Sequence, residues 1–576
     1  MKFRWLTAPA QPPVAGQLAR QLDISGLLAQ CLLNRGLTEA GEIEKFLCPR
    51  LKNLADPFLL PGMRTAVERL LGARGQGESL VIFGDYDVDG VTSTSFLLDA
   101  LQQLGWKVDA YLPHRMDEGY GLSRDGVENC LKKYPVKLLL AVDCGSTAVE
   151  TILWLRERGV EVLVLDHHQV ANPPPVATAL VNPQLAGEGE RSFRELCSVG
   201  LVFKLVHALL KRGRELGLPG MAEFDLRAYL DLVALGTVAD LVPLTGENRI
   251  LVSAGLEKLT TSQRPGLVAL KEISQTPPKI SVMDVGFQLA PRLNASGRME
   301  TAEQSLNLLR AETLEEAIPL AQNLDAQNRE RQKIERGMVK EVIALVRAKF
   351  KAETDFVIVE GQLPWHLGVV GIVASRVLTE FYRPTIIIGG DGEVWRGSGR
   401  SIAGFDLAAA LRECDDLLIR HGGHAMAAGL TIAPEKLDQF RERMNELVQR
   451  TLRPEFLQAP LRLDAEIKLG ELTFEMLAEL DQLKPVGQGN PPLQFSAGQL
   501  NHARTLQRMG ADKQHVKMWV TDGTTTLEAV WWNVGAAALP TGMFDLAFAP
   551  AINEFNGRSS VQLKILDWRA SAGAVT

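Results

Sequence analysis

Cysteine is scarce and scattered. Six are spread through 576 residues (Cys31, Cys48, Cys130, Cys144, Cys197 and Cys414), with no CxxC pair and no disulfide-like spacing. That pattern argues against a structural zinc site and favours a reducing compartment, with the cytoplasm as the expected location. Long apolar runs are missing too. The opening MKFRWLTAPAQPPVAG has no signal-peptide core, and the most apolar later stretch, 229–244, is broken by Asp231 and Asp240, so no membrane role is expected. Nor is there an excess of positive charge. The formal net charge of -7 gives no sign of a polyanion partner, although a local basic channel can form on an acidic protein. What remains is a chain with 46% hydrophobic residues, long enough for roughly three or four domains.

Negative charge is concentrated where it is least comfortable. LVIFGDYDVDGVTSTSFLLDALQQLG, residues 80–105, places Asp85, Asp87 and Asp89 at alternate positions between an apolar run and a helix-like run. Carboxylates so close together repel one another, and each carries a desolvation cost on burial. Cations would offset both effects, whereas a lone DxD is as readily an acidic turn in solvent. The rest of the chain decides between these.

Residues 79–240 repeat a pattern of short apolar run, acidic turn and amphipathic helix. The runs SLVIF, KVDAYL, KLLLAV and EVLVL are too short for buried helices and are spaced for crossover connections, which predicts parallel strands of a doubly wound α/β sheet. Charged residues follow three of them: Asp85 to Asp89, Asp143 in AVDCGS, and Asp166, His167 and His168 in LDHHQV. Ligands of open α/β sheets sit beyond the carboxyl ends of strands, so the fold gathers these groups along one edge. Asp240 in ALGTVADLVPL can reach the same edge. Singly, each is as well explained as a helix cap or a structural histidine. Together, several carboxylates with one or two imidazoles suit a pair of Mn²⁺ or Mg²⁺ ions and the hydrolysis of a phosphate ester or anhydride.

GDYDVDG, VDCGS, DHH and GTVAD, in this order, resemble the four motifs of the DHH phosphoesterase superfamily. Within it the chain is similar to the bacterial single-stranded-DNA-specific exonucleases of the RecJ family, from about residue 50 onward. The likeness extends to LPHRMDEGYGLS (112–123), FQLAPRLNASGRM (287–299), WHLGVVGIVASR (365–376), RGSGRSIAGFDL (396–407), HGGHAMAAGL (421–430) and KPVGQGNPP (484–492). The resemblance implies two metal ions. Asp87 and Asp89 would bind one each, Asp143 would bridge them, and His167 and Asp240 would complete the ligand set of the second ion. Asp85 is either a ligand or a partner of one. His168 would face the scissile phosphate and Asp166 would orient a histidine. Substrate contacts fall to Arg115, Arg292, Asn294, Arg298, His366, Arg376, Arg396, Ser398, Arg400 and His424. Of these, Arg115, Ser398 and Arg400 are expected to grip a terminal 5′-phosphate, unless Arg115 pairs with Asp117 or Glu118.

The expected organisation is an N-terminal helical segment (1–50), a DHH catalytic domain (51–313), a connecting helix (314–350), a smaller α/β DHHA1 substrate-binding domain (351–452) and a C-terminal OB-like β-barrel (453–576). Arg329, Arg331 and Lys333 on the connecting helix read as a solvated face or as strand contacts. In the tail, HVKMWVTDGTTTLEAVWWN reads as a hairpin bending at Asp522 and Gly523. Arg504, Arg508, Lys513, His515 and Lys517 near Trp519 suit a groove for single-stranded DNA, with Trp531 and Trp532 either core or stacking residues. The family activity is 5′ to 3′ degradation of single-stranded DNA to 5′-mononucleotides, with the strand passing between the DHH and DHHA1 domains. Single-stranded-DNA-binding protein and a helicase are its implied partners. The alternative is a phosphodiesterase of short oligonucleotides or cyclic dinucleotides, whose members generally lack an OB domain.

Overall fold

The computed structural model describes residues 3–571 apart from 116, 120, 188–192, 391, 536 and 556. Met116 and Tyr120 of the 112–123 motif therefore lie outside the described residues. The chain divides into two compact units, one of Thr38–Arg329 with Gln482–Pro492, the other of Met1–Leu37, Glu330–Asp481 and Leu493–Thr576.

The first unit is built on five parallel strands, β1 (Ser79–Phe83), β2 (Lys107–Tyr111), β3 (Leu138–Val142), β4 (Glu161–Leu165) and β5 (Ala179–Val181), in the order β2-β1-β3-β4-β5. The apolar runs of β1, β3 and β4 have a simple cause: both faces are covered, whereas the edge strand β2 keeps Lys107 and Asp109 exposed. Leu80, Ile82, Leu138 and Leu140 enter one core, while Val81, Phe83, Leu139 and Ala141 enter another, as parallel sheets require. Helix α1 (Val88–Gln103) follows β1, and α2 (Ser198–Glu215), α3 (Leu230–Ala239) and α4 (Ala290–Met299) complete the frame around the sheet's carboxyl edge. Order reverses between β1, which is joined to β2 on one side, and β3 on the other. That is the place where open α/β sheets open a crevice. Buried Arg249 (1% exposed) donates to the carbonyls of Phe46, Gln482, Leu483, Lys484 and Pro485, anchoring the 482–492 loop to this unit.

A long helix, α5 (Leu314–Lys349), carries the chain onward. The three cations singled out on it pair with neighbours along its own surface: Arg329 with Asp325, Arg331 with Glu335 and Lys333 with Glu330. In the second unit, β6 (Ile358–Gln362), β7 (Thr385–Gly389), β8 (Trp395–Arg400), β9 (Leu418–Gly423) and β10 (Ala427–Ile432) form a mixed sheet in the order β9-β10-β8-β7-β6. Helix α6 (Val370–Phe381) packs through Val370, Val373 and Val377 into a core shared with Ile358 and Ile387.

In the tail, strands Phe495–His502, Phe544–Phe555, Arg558–Ala570, Thr526–Trp531 and His515–Thr521 pair in succession, and the last returns to the first. This closed five-strand circuit is a small OB barrel. The expected hairpin is present, with Asp522 Oδ1 accepting from the Thr524 and Thr525 amides at 2.9 Å each. The N-terminal segment is helical over Pro12–Leu22, Gly26–Leu33 and Ala40–Leu47, but Arg4–Thr7 is a strand paired in parallel with Pro460–Leu463. A helical reading missed it because a short strand has no periodicity to detect and its partner lies at the other end of the chain. Among the described residues, no helix is long and apolar enough to cross a membrane.

Candidate metal centre

The turn after β1 is shaped by close packing. A Cβ on Gly84 would lie 2.1 Å from Thr94 Oγ1, and one on Gly90 would lie 2.5 Å from the Asp85 carbonyl oxygen, so only glycine lets the loop fold back onto α1. Asp87 caps α1, accepting from the Gly90 amide at 3.0 Å. Asp85 accepts from the Tyr86 amide at 2.8 Å. Asp89 is buried, and its two oxygens accept from the Ser198 and Val199 amides at 2.7 and 2.8 Å. Its charge therefore meets the positive end of α2. Helix α3 comes close through Gly236, where a Cβ would lie 2.4 Å from Thr92 Oγ1 and 3.2 Å from Asp89 Oδ1. Asp240 caps the far end of α3.

Asp143 leaves β3 in the left-handed region, φ 63°, a conformation that aspartate tolerates better than most residues. Its carboxylate accepts from Ser198 Oγ at 2.8 Å. His167 Nε2 stands 3.5 Å from Asp143 Oδ1, 3.5 Å from Asp240 Oδ2 and 4.0 Å from Asp89 Oδ2. Potential ligand atoms cluster within 4.8 Å in three sets: Asp85, Asp87 and Asp143; Asp143, His167 and His168; Asp89, Cys197 and Asp240. Asp143 is common to two of them. The four motifs thus converge on one pocket.

The electrostatics are those of an unneutralised cluster. Burial first, and the Asp87 charge second, push Asp85 up to about 8 and Asp89 up to about 7. Burial and the charges of Asp89 and Asp87 push Asp240 up to about 9, and the same causes hold Asp143 well above the carboxylate range. Burial, then the neighbouring His168 charge, lowers His167 to about 4, leaving a neutral imidazole. His168 differs. Burial opposes its charge, yet the 2.7 Å hydrogen bond from Nδ1 to Asp166 Oδ1 raises it to about 9. Burial would raise Asp166, but its bond to His168 outweighs that and holds it below the carboxylate range.

These residues fit a pair of divalent cations. His167 Nε2 and Asp240 Oδ2 are buried without a hydrogen-bond partner among the described residues, and atoms so placed are usually satisfied by something outside the protein. The donor set of carboxylate oxygens and one neutral imidazole suits Mn²⁺ or Mg²⁺. Cys197 does not alter this, because burial pushes its thiol well above the ordinary range and it remains protonated, donating to Thr237 Oγ1.

Three supporting residues went unnoticed in the sequence. The Ser146 amide donates to Asp166 Oδ2 at 2.9 Å, and Asn182 Nδ2 bonds Ser146 Oγ and the His168 carbonyl, each at 2.8 Å, so together they fix the histidine turn. Ser198 ties Asp89 to Asp143. Ser146 lies inside DCGS and was legible as a motif member; Asn182 and Ser198 carry no local signal.

The expected substrate residues divide by their partners. In the unit that holds the metal centre, Arg115 lies over the Tyr86 ring at 5.0 Å. The anticipated pairing with Asp117 or Glu118 does not describe it, since Asp117 pairs with His114, and Glu118 is held by Tyr111, Asn129 and the His114 amide. Asn294 Oδ1 accepts from the Val88 amide at 3.2 Å, and Arg298 is close enough to influence Tyr86. Arg292 bonds Asp325 at 2.9 Å and the Gln288 carbonyl at 2.6 Å. In the other unit, Arg376 bonds Glu335 and His366 Nδ1 accepts from the Gly368 amide. Arg396, Ser398 and Arg400 alternate along β8 and so share one face, opposite Thr431, Gly429 and Ala427 of β10. Arg400 donates to Ser398 Oγ at 2.9 Å. The start of α6 comes within contact of both, since a Cβ on Gly371 would sit 3.0 Å from Arg400 Nη2 and Ser398 Oγ. His424 is exposed in the turn before β10.

The chain matches family models for the DHH family N-terminal domain over 79–237, the DHHA1 domain over 354–450 and the RecJ OB domain over 463–567. It is 38% identical over 573 residues to the single-stranded-DNA-specific exonuclease RecJ of Bacillus subtilis, covering 98% of this chain and 71% of that one. Among solved structures it resembles RecJ from Thermus thermophilus in complex with Mn²⁺, with a TM-score of 0.84 at 30% identity, covering 100% of this chain and 81% of that one. The same protein in complex with Mg²⁺ gives 0.79 at 28%, covering 99% and 79%. The four motifs meet at one pocket, and the likeness runs the length of both units. This chain belongs to the RecJ family of DHH proteins.

Proposed function

We propose that this chain is a divalent-metal-dependent exonuclease specific for single-stranded DNA, working from the 5′ end and releasing 5′-mononucleotides. The observation that carries the reading is the convergence of Asp85, Asp87, Asp89, Asp143, Asp240 and His167 on one buried pocket, joined to a closed OB barrel in the same chain. Asp87, Asp89, Asp143, His167 and Asp240 would hold two ions, with Asp143, which belongs to two of the ligand clusters, between them. When bound, the ions supply a water nucleophile at neutral pH and neutralise charge on the phosphoryl group.

The remaining chemistry belongs to side chains. Asp166 holds His168 through Nδ1, and the cationic imidazole is the proton donor offered to a phosphoryl oxygen or the departing 3′-oxygen. Ser198, by bonding Asp143, and the α2 amides, by bonding Asp89, fix the direction of two ligands before substrate arrives. On β8, Ser398 and Arg400 with the start of α6 are suited to a terminal phosphate dianion, and Arg396 and His424 to the backbone beyond it. The small-substrate alternative is not favoured, because the OB barrel has no use there. Single-stranded-DNA-binding protein and a helicase as partners, and a cytoplasmic location, are proposed on the family likeness; all six cysteines being free is in keeping with a reducing compartment.

The test is release of mononucleotides from end-labelled strands with Mn²⁺, beside duplex and dinucleotide controls. Loss of a 5′ label as the first product supports the reading; preferential cleavage of dinucleotides, or of the 3′ end, overturns it.

A further inference from the structure

Leu241 is an odd residue in an odd conformation. It directly follows Asp240, at the position where a helix ends in the left-handed region and glycine is the usual occupant. Its φ is 61° and its side chain is 74% exposed. Neither the backbone nor the core asks for leucine here, and strained residues beside reactive groups invite a functional explanation.

A second apolar feature lies on the segment that packs against α3. Met283 and Phe287 are 61% and 68% exposed, while Val285 and Leu289 between and beyond them are fully buried. The two exposed side chains are one turn apart where the helix widens into a π-turn, Val285–Leu289, so they share the solvent face. Such turns are often found at functional sites. Seven residues after Phe287 on the continuing helix comes Asn294, which bonds the Val88 amide between Asp87 and Asp89. At about 1.5 Å rise per residue, the backbone positions of Phe287 and Asn294 are about 10 Å apart along the axis.

We propose that Leu241, Met283 and Phe287 form an apolar platform for the bases of the strand next to the scissile phosphate, with Phe287 stacking on a base and Leu241 packing against its sugar or edge. The proposal rests on the nuclease reading and adds to it a source of strand selectivity. A base in a duplex already has its faces stacked and its edge paired, so only an unpaired strand can offer a face to Phe287. The occupant follows from position: the patch adjoins a phosphodiester site, and the apolar group that accompanies every phosphodiester of a nucleic acid is a base on its sugar.

Two measurements test this. The first compares hydrolysis of an ordinary oligonucleotide with that of an abasic strand of equal length, which keeps every phosphate. Stacking on one aromatic ring is expected to favour the base-bearing strand by roughly 5- to 100-fold in kcat/KM. Phe287→Ala should shrink that ratio severalfold and Phe287→Trp should restore it. A wild-type chain that cuts both strands equally, or a Phe287→Ala chain with an unchanged ratio, overturns the platform. A wild-type chain that cuts neither overturns the nuclease reading instead. The second measurement uses Leu241→Gly, which relieves the left-handed backbone. It should melt no lower than wild type while binding a 2-aminopurine strand more weakly and quenching it less; a lower melting temperature with unchanged binding and quenching would make Leu241 purely structural.

Discussion

In the catalytic unit Asp85, Asp89, Asp143 and Asp166 are each about 1% exposed, and burial first, with the charge of neighbouring carboxylates second, holds three of the four well above the carboxylate range. On β8 of the other unit, Arg396, Ser398 and Arg400 share a face opposite Gly429 and Ala427, and Arg396 is exposed to water. In the proposed function both regions serve a phosphate-bearing substrate. The buried one has already shed its water, so its free energy depends on cations and protons whether or not substrate is present. On the other, Arg396 keeps its water until an anion displaces it, while Arg400 is half-buried and has lost part of its own. Altering the first should change stability, metal affinity and turnover together, whereas altering the second should change only what is bound.

The largest expected effect tests the buried side of that contrast. Asp143→Ala should lower cleavage at saturating Mn²⁺ by at least about a hundredfold to a thousandfold, the scale of losing one preorganised charge at a reacting centre. Its metal-free melting temperature should stay level or rise, because removing one of several crowded carboxylates relieves repulsion. Retained activity would erase the distinction between the two regions, and a large fall in melting temperature would contradict the account of crowded carboxylates.

Next comes the response to pH and metal. Asp85, Asp89 and Asp240 have folded values raised to about 8, 7 and 9. The native state therefore holds protons that the unfolded chain has released, and the stability these groups lend is full at low pH and lost as pH rises toward about 9. The metal-free protein should melt progressively lower across that window. Mn²⁺ at about a hundred times its dissociation constant should add about 2.7 kcal/mol. A melting temperature that rises with pH in chelator would contradict the crowded-carboxylate account. The histidine pair refines the same point: His167→Ala should weaken Mn²⁺ binding in calorimetric titration, while His168→Ala should lower turnover with metal affinity largely kept.

The surface side predicts smaller, more selective losses. Arg400→Ala should remove most of any preference for 5′-phosphate over 5′-hydroxyl strands, roughly tenfold from one charged hydrogen bond, with metal affinity and melting temperature unchanged. A shift in metal affinity would show that the two regions are not separable. Smallest is the barrel. Trp532, 52% exposed and edge-on to His515 at 4.8 Å, is not a core residue, and Trp532→Ala should weaken binding of long strands several-fold while sparing very short ones.

Much of this could be read along the chain. Four strands declare themselves as short runs, three of them buried, and the acidic turns after those three fall at the sheet's carboxyl edge because parallel connections put them there. The site's composition was legible for the same reason: Asp85 to Asp89, Asp143, Asp166 to His168 and Asp240 each lie inside a short motif. Their partners were not. Asp89 is satisfied by amides 109 and 110 residues later, and no local pattern marks a helix start that will serve a distant carboxylate. Arg115 looked free to pair with acidic neighbours in sequence, yet the loop turns it over Tyr86.

The kinds of element, the ligand types and the family were already written in the order of residues, since these depend on residue identity and on short spacings. Folding settled which carboxylates lose water, which histidine is charged, that Asp143 stands in two clusters, and that Leu241 and Phe287 face solvent. Burial and charge are sums over neighbours in space, and those neighbours come from elements far apart in the chain.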